Sequence, residues 1–366
     1  MAHKTLKNAN RTKKDEFYTQ LSDIEKELKH YKSQFKDKVV YCNADDPFES
    51  NFFKYFASNF NVLGLKKLIA TSYIGSSIVG KQLSIFDIAG VKNKKKKEPM
   101  KIEINEVKDF NNDKAVNLLD VEYLLTHDKN SVKPLEESGD FRSKECVEFL
   151  KEADIVVTNP PFSLFRDFVA QLVEHNKKYL IIGNTNAITY KEIFKLIKED
   201  KIRTGYTNFN VGMFFVVPDD WEKYHHIDEN GKKIARVSTS CWFTNLEVKK
   251  HKEDLILFKT YEGNEDEYPK YDNYDSIEVS KVATIPIDYK ECMGVPITFL
   301  DKHNPDQFEI IGFTHRNDPY ELKTKVYTKE DGSNFNDLNG SPIIKEGNKF
   351  RFIYMRIIIR NKRLKK

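Results

Sequence analysis

The segment richest in chemistry is Asp154-Ile-Val-Val-Thr-Asn-Pro-Pro-Phe162, an apolar run that leads straight into Asn159, Pro160, Pro161 and Phe162. Two adjacent prolines fix φ and remove two N–H donors, so the loop is stiff and rich in acceptors. A primary amine brought to it meets two of them, the Asn159 side-chain oxygen and the Pro160 carbonyl. Those acceptors orient the nitrogen lone pair and take up positive charge as the nitrogen attacks a methyl group. Phe162 supplies a face for stacking a planar base. The competing reading is a rigid loop after a core strand, with no chemistry of its own. No metal signature accompanies it. Cys42, Cys146, Cys241 and Cys292 are scattered without CxxC or Cys/His spacing, so free thiols in a reducing compartment are expected, and no metal.

Such a loop has to be held at the carboxyl end of a strand, and the surrounding pattern predicts one. A helix is expected from Asp23 to Tyr31, a short buried strand at Val39–Asp46, and a helix over Ser50–Phe60 capped by Ser50. Leu65–Ile74 reads as a second β-rich run. Further on, SKECVEFLKEA (helix), DIVVTNPPF (strand and loop), LFRDFVAQLVEHN (helix), KYLIIGNTN (strand) and KEIFKLIKED (helix) follow in turn. IRTGYTNFNVGMFFVVP and RVSTSCWFTNLEV read as more strands. This alternation predicts an α/β fold with a mostly parallel sheet covered by helices on both faces. The weakly patterned stretch at about 75–138, with its charge run KNKKKKEP, reads as an insertion. From about Lys249 the texture becomes rich in Tyr, Asn, Pro and Gly, which places a boundary near residue 255 and predicts domains at 1–255 and 256–366.

A chain of 366 residues is long enough for two domains and a core that needs no disulfides. With 39% hydrophobic and 32% charged residues and a formal net charge of +4, it carries a basic face at most, well short of a histone-like polycation. The N-terminal residues lack the apolar region of a secretory signal, and no stretch approaches the roughly 18 apolar residues of a membrane span. A cytoplasmic protein with no membrane partner is expected.

The NPPF segment is similar to the catalytic motif of amino-methyltransferases, its Asn form pointing to adenine N6 over cytosine N4. The likeness extends along the chain. DEFYTQ, DKVVYCNADDP, SNFFKYFA, LGLKKLIA, GDFRS, DIVVTNPPFSLFR, LIIGN, ITYKE, WFTNL, YPKYDNYD and MGVPITFL resemble, in the same order, the EcoRI-like family of DNA adenine-N6 methyltransferases. It is weakest at Gly75–Ser138, around 206–236 and after Asp318. The resemblance implies a class I S-adenosylmethionine-dependent methyltransferase fold, Rossmann-like with a mostly parallel seven-stranded sheet. A smaller C-terminal target-recognition region is implied behind it.

The same resemblance implies the cofactor contacts. Phe17, Tyr18 and Thr19 of DEFYTQ belong beside the methionine end of S-adenosylmethionine; the alternative is an aromatic pair that anchors a helix. Asn43, Asp45 and Asp46 stand where such enzymes usually carry a glycine-bearing turn, and the glycines are absent here. Asp45 or Asp46 would take the ammonium group, against capping of the next helix. The second strand lacks the usual acidic ribose ligand, and Thr71 or Ser72 is the expected substitute. Asp140 and Phe141 of the GDF turn are expected at the cofactor's adenine, with Asn159 adjoining the methyl donor.

Contacts to double-stranded DNA are expected from Lys13, Lys14, Lys94–Lys97, Arg360 and Lys362 as phosphate ligands. Tyr268, Lys270, Tyr271, Asn273 and Tyr274 form a cluster suited to stacking on bases or reading adenine edges, with core packing as the alternative. Gln82-Leu-Ser-Ile-Phe86 resembles the peptide by which bacterial replication proteins dock on the sliding clamp. A restriction endonuclease for the same site would be the functional partner. The expected activity is N6-methylation of adenine in a short duplex site, GAATTC being the first candidate. Two other readings stay open: a protein-glutamine or RNA N-methyltransferase with the same loop, and a catalytically inactive DNA-binding module.

Overall fold

In the computed structural model, the residues described are 18–43, 50–73, 99–110, 118–127, 132–217, 219–332, 334–347 and 349–364. Phe17, Asp45, Asp46, Lys13, Lys14, Lys94–Lys97 and the Gln82–Phe86 peptide lie outside them. The chain divides into two compact units. Unit 1 takes the described residues of Met1–Ile193 and Ile202–Glu247, and unit 2 those of Phe194–Lys201 and Val248–Lys366.

Unit 1 opens with β1 (Tyr18–Thr19), α1 (Leu21–Leu28), β2 (Val39–Cys42), α2 (Asn51–Ser58), α3 (Phe60–Leu63) and β3 (Lys67–Thr71). Then come β4 (Met100–Ile104), α4 (Leu118–His127), β5 (Val132–Pro134), α5 (Lys144–Glu152), β6 (Ile155–Thr158), α6 (Phe165–Glu174) and β7 (Lys178–Asn184). After α7 (Lys191–Lys198) follow β8 (Arg203–Thr204), β9 (Met213–Val216), β10 (His226–Ile227), β11 (Lys233–Val237) and β12 (Ser240–Thr244). Helices α1, α2, α5, α6 and α7 form where the apolar spacing predicts, whereas α4 lies in the stretch read as an insertion. α6 buries Phe165, Phe168, Val169 and Leu172, an i, i+3, i+4, i+7 stripe. Ser50 caps α2 by accepting from Phe52 N and Phe53 N at 3.0 and 3.3 Å.

The main sheet has eight strands in the order β5-β4-β3-β2-β6-β7-β12-β8. Only β3–β2, β2–β6 and β6–β7 pair in parallel; β5–β4, β4–β3, β7–β12 and β12–β8 are antiparallel. The sheet is therefore mixed and eight-stranded, where a mostly parallel seven-stranded one was expected. The reason is that a short all-apolar run signals only burial on both faces, not strand direction. β12, Ser-Cys-Trp-Phe-Thr, is buried at all five residues and runs antiparallel. Part of the segment read as an insertion, β4 and β5, completes one edge. A smaller antiparallel sheet, β1-β9-β11-β10, completes the unit.

The order matters for function. From β2 the chain moves outward to β3, then returns to place β6 on the other side of β2. Connections leave β2 in opposite directions, so a crevice opens at the carboxyl ends of β2 and β6, where open α/β sheets bind ligands. Asn43 follows β2, and Asn159 follows β6.

Unit 2 contains β13 (Ile277–Glu278), β14 (Met293–Val295), β15 (Phe308–Phe313), α8 (Phe335–Leu338), β16 (Ile343–Glu346), β17 (Lys349–Phe352) and β18 (Ile357–Asn361). Its sheet runs β13-β14-β18-β15, and β16 and β17 form a separate two-stranded ribbon. Met293, Phe299, Phe308, Ile357 and Ile359 are fully buried in its core. Among the described residues no helix is long and apolar enough to cross a membrane.

Candidate active site

Two hydrogen bonds stitch the site at the crevice. Thr158, the last residue of β6, is fully buried and its hydroxyl donates to the Asn43 carbonyl oxygen. This bond locks the exit of β6 to the exit of β2 and sets the start of the Asn159-Pro160-Pro161-Phe162 loop. Asn159 Oδ1 is buried, as are Pro160 and the Phe162 ring. The loop tightens through Leu164 N donating to Pro161 O at 2.9 Å and passes through a single 3-10 turn into α6. Asn43 is 1% exposed, and its Oδ1 has no hydrogen-bond partner among the described residues. Leaving a buried acceptor unmade costs about 1–3 kcal/mol, which a donor brought to this atom would recover.

The second stitch brings in the N-terminal motif. Asn51, the first residue of α2, donates from Nδ2 to the Thr19 carbonyl oxygen at 2.7 Å. β1 pairs with β9 in the register Tyr18↔Val216 and Thr19↔Phe215. Tyr18 packs against Val216, Ile234 and Phe214. Thr19 is buried, and its Oγ1 is a second buried polar atom without a partner among the described residues.

The Gly139-Asp140-Phe141 turn reaches the same end of the sheet. Gly139 has φ +75°, and a Cβ there would overlap the Ser72 carbonyl oxygen just past β3, so only glycine permits this approach. Asp140 accepts from Arg142 Nε at 2.9 Å and Nη2 at 2.8 Å. That guanidinium holds the Asp140 carboxyl below the usual carboxylate range. Phe141 is buried edge-on against Phe168, with ring centroids 5.1 Å apart.

Other expected residues are placed elsewhere. Thr71 is fully buried and its hydroxyl shares a 2.8 Å hydrogen bond with Tyr41 Oη, on the α5 side of the sheet where Cys146 lies. The Ser72 hydroxyl accepts from Met100 N at 2.8 Å. Both hydroxyls are engaged within the fold. In unit 2, Tyr268, Tyr271, Asn273 and Tyr274 are buried, in contrast to the expected base-reading surface. Tyr268 Oη donates to Thr284 O at 2.9 Å, and Tyr271 Oη donates to Glu278, itself paired with Arg356 at 2.7 Å. Asn273 spends its amide on Ser341 O and Ile343 N at 2.8 and 2.9 Å. Core packing wins because each polar tip finds an internal partner. Lys270 and Lys362 are exposed, and Lys362 Nζ donates to Pro305 O at 2.8 Å. Arg360 is half-buried, with Nη2 3.4 Å from Cys292 Sγ.

Two carboxylates went unnoticed in the sequence. Glu27 is fully buried and accepts from Tyr31 Oη, Tyr206 N, Thr207 N and Thr207 Oγ1 at 2.8, 2.6, 2.8 and 2.7 Å. One turn earlier, Asp23 accepts from Phe214 N at 2.8 Å. Together they clamp the 206–214 segment, which leads into β9, onto α1. The available signal was their i, i+4 spacing on the same face as Ile24 and Leu28.

A family model described as adenine-specific methyltransferase EcoRI matches residues 5–362. The chain belongs to the EcoRI family of adenine-specific DNA methyltransferases. The type II methyltransferase M.EcoRI of Escherichia coli is 45% identical, the match covering 100% of this chain and 98% of that protein. Type II methyltransferase M.MpnI of Mycoplasma pneumoniae is 37% identical over 91% of this chain and 93% of its own length. M.MgeORF184P of Mycoplasma genitalium, another type II methyltransferase, is 36% identical over 97% and 98%. No solved structure matches. As an EcoRI-family enzyme the protein is an adenine-specific DNA methyltransferase, and its NPPF loop lies at the switch point of its main sheet.

Proposed function

We propose that the enzyme transfers the methyl group of S-adenosylmethionine to N6 of an adenine in a short duplex site, as the modification half of a type II restriction–modification system. GAATTC is the first candidate site, by likeness to M.EcoRI. The class I methyltransferase fold belongs to this reading, supported by family membership and by the crevice at β2 and β6. The carrying observation is the bond from Thr158 to Asn43, which joins the expected amine site to the expected cofactor site.

The residues present fit the cofactor. S-adenosylmethionine supplies an electrophilic methyl group on a sulfonium, with an amino acid at one end and adenosine at the other. The buried acceptor of Asn43 suits its ammonium, and the buried hydroxyl of Thr19 suits its carboxylate. Asp140, charged at neutral pH beside Arg142, would accept from the cofactor's adenine amine, with Phe141 backing the turn. Phe17 and Asp45 remain expected contacts, whereas Thr71 is left out because Tyr41 holds its hydroxyl.

The target amine is inaccessible inside a duplex, so the base is flipped out and stacked against Phe162. Asn159 Oδ1 and the Pro160 carbonyl then accept from the two amine hydrogens, aim the lone pair, and stabilise charge as it develops. The C-terminal region 256–366, which lies within unit 2, recognises the site in this reading.

The test is transfer of labelled methyl to duplex DNA, digested to nucleosides, with wild type and Asn159→Ala compared. Removing one preorganised acceptor should lower the rate roughly 10²–10³-fold. Cofactor and DNA affinity should hold. Wild-type turnover in the variant removes Asn159 from the mechanism, and label found in protein or RNA instead of DNA overturns the substrate class.

A further inference from the structure

The Tyr and Asn cluster of unit 2 turns inward, and what it grips is the β16–β17 ribbon. Asp272 N donates to Ile343 O at 2.7 Å, Ile343 N donates to Asn273 Oδ1 at 2.9 Å, and Asn273 Nδ2 donates to Ser341 O at 2.8 Å. Across the ribbon, Ile353 N donates to Pro342 O at 2.9 Å. Ile343 is buried with Tyr327 and Leu338, while Ile344 and Ile353 are buried with Tyr271 and Tyr274. Both sides of the ribbon's base are thereby held in core.

Its outer half is the opposite. Lys345, Glu346, Lys349, Arg351, Phe352 and Tyr354 are all exposed, Tyr354 at 83% and Phe352 at 45%. Among the described residues the two strands form a ladder only with each other, in the register Ile344↔Arg351 and Glu346↔Lys349. Those four residues therefore share one face, and Lys345 and Phe352 share the other. Three basic residues stand against one acid. Glu346 pairs with Arg351 at 2.7 Å, but both side chains are about half exposed, and surface pairs of that kind exchange readily. An apolar tip would suggest a protein partner. A basic ribbon with exposed aromatic rings on a rigid base suits a polyanion.

We propose that this ribbon enters a groove of the duplex and contributes to site recognition, Lys345 and Lys349 contacting phosphates and Arg351 reading a base edge. The inference rests on the DNA-methylating reading above and names the element of unit 2 that carries its specificity. The major groove, about 12 Å wide, admits a two-stranded β-ribbon, and arginine is the commonest specific reader there, through guanine O6 and N7. Lysine serves phosphate as a point charge. Base readout needs a support that does not drift, and the two amide bonds of Asn273 supply it. The cluster expected to touch DNA thus becomes the positioning element for the ribbon that does.

The experiment measures binding of short duplexes, with and without the mapped methylation site, across a salt series, for the whole enzyme. Lys345→Ala with Lys349→Ala should weaken binding to both duplexes and reduce the slope of log K against log salt by about 1.8, two released counterions. Arg351→Ala should weaken the specific duplex by roughly tenfold or more and leave the non-specific one nearly unchanged, with methylation spreading to sites altered at one base pair. Glu346→Lys is the gain-of-function arm, since unfolding cannot mimic it: binding tightens and the salt slope steepens. Cofactor binding by calorimetry should be the same in all variants. Unchanged affinity, slope and discrimination in the variants overturn the ribbon. A wild type that methylates no duplex DNA overturns the underlying reading instead.

Discussion

Glu27 makes four hydrogen bonds from a fully buried position, all of them local to α1 or to residues 206 and 207. The packing at Gly205 shows how tight this is, since a Cβ there would overlap the Glu27 carboxylate. Removing the acceptor leaves several donors without partners, and each hydrogen bond to a charged group is worth about 1.5–3 kcal/mol. Glu27→Gln, which keeps one carbonyl oxygen, should lose about 1–3 kcal/mol, and Glu27→Ala should lose more. Urea unfolding of the two variants checks this; equal midpoints for wild type and Glu27→Ala would show that the carboxylate is dispensable. Local reading singled out Asn159 as a candidate because its neighbours are prolines, whose constraints act within two residues. It missed Glu27 because three of the four donors to its carboxylate come from residues 179 or 180 positions away.

At the scale of elements, the turn carrying Asp140 depends on one glycine. Gly139→Ala adds a methyl group at positive φ against the Ser72 carbonyl. Non-glycine residues in sparsely populated backbone regions cost about 1–3 kcal/mol, so the turn should shift away from the end of β3. Cofactor affinity should fall by roughly tenfold, about 1.4 kcal/mol, with the NPPF loop untouched. Calorimetric titration with S-adenosylmethionine measures it, and an unchanged Kd would detach the turn from the cofactor. Helix stripes such as that of α6 and the Ser50 cap were legible because periodicity and capping are short-range. Strand direction in β12, and the side of β3 on which Thr71 points, were not. Strands buried on both faces show no alternation to read.

For the whole molecule, acid should act in two steps. Burial first, then Lys323 and Arg316, push the His315 imidazole below its ordinary value. Its Nδ1 accepts from Asn317 N at 3.2 Å, which a neutral ring can do and a protonated one cannot. Because the folded pKa lies below that of the unfolded chain, about 6.5, the stability is present above that value and is lost as pH falls below it towards the folded pKa. Asp140, through Arg142, and Asp272, through Lys325, have lowered pKa values as well, but their loss begins only below about pH 4. Denaturation midpoints should therefore drop as pH falls below about 6.5, and His315→Asn should flatten that part of the curve. An unaltered slope in the variant would assign the acid sensitivity to another group.

The sequence by itself determined what acts over a few residues. It located the stiff Asn-Pro-Pro-Phe loop at 159–162, the caps and stripes of the helices, and the order of motifs that marks the EcoRI family. Tertiary structure alone decided where those pieces meet. The Asn43 and Asn159 segments are 116 positions apart, and only the strand order β3-β2-β6 with the bond from Thr158 to Asn43 makes them neighbours. It likewise turned Tyr271 and Asn273 inward and left Arg351 and Tyr354 in solvent. A tyrosine or an asparagine suits a buried hydrogen bond as well as a base edge. Which one it serves depends on whether distant backbone, here Ser341 and Ile343, arrives to satisfy it.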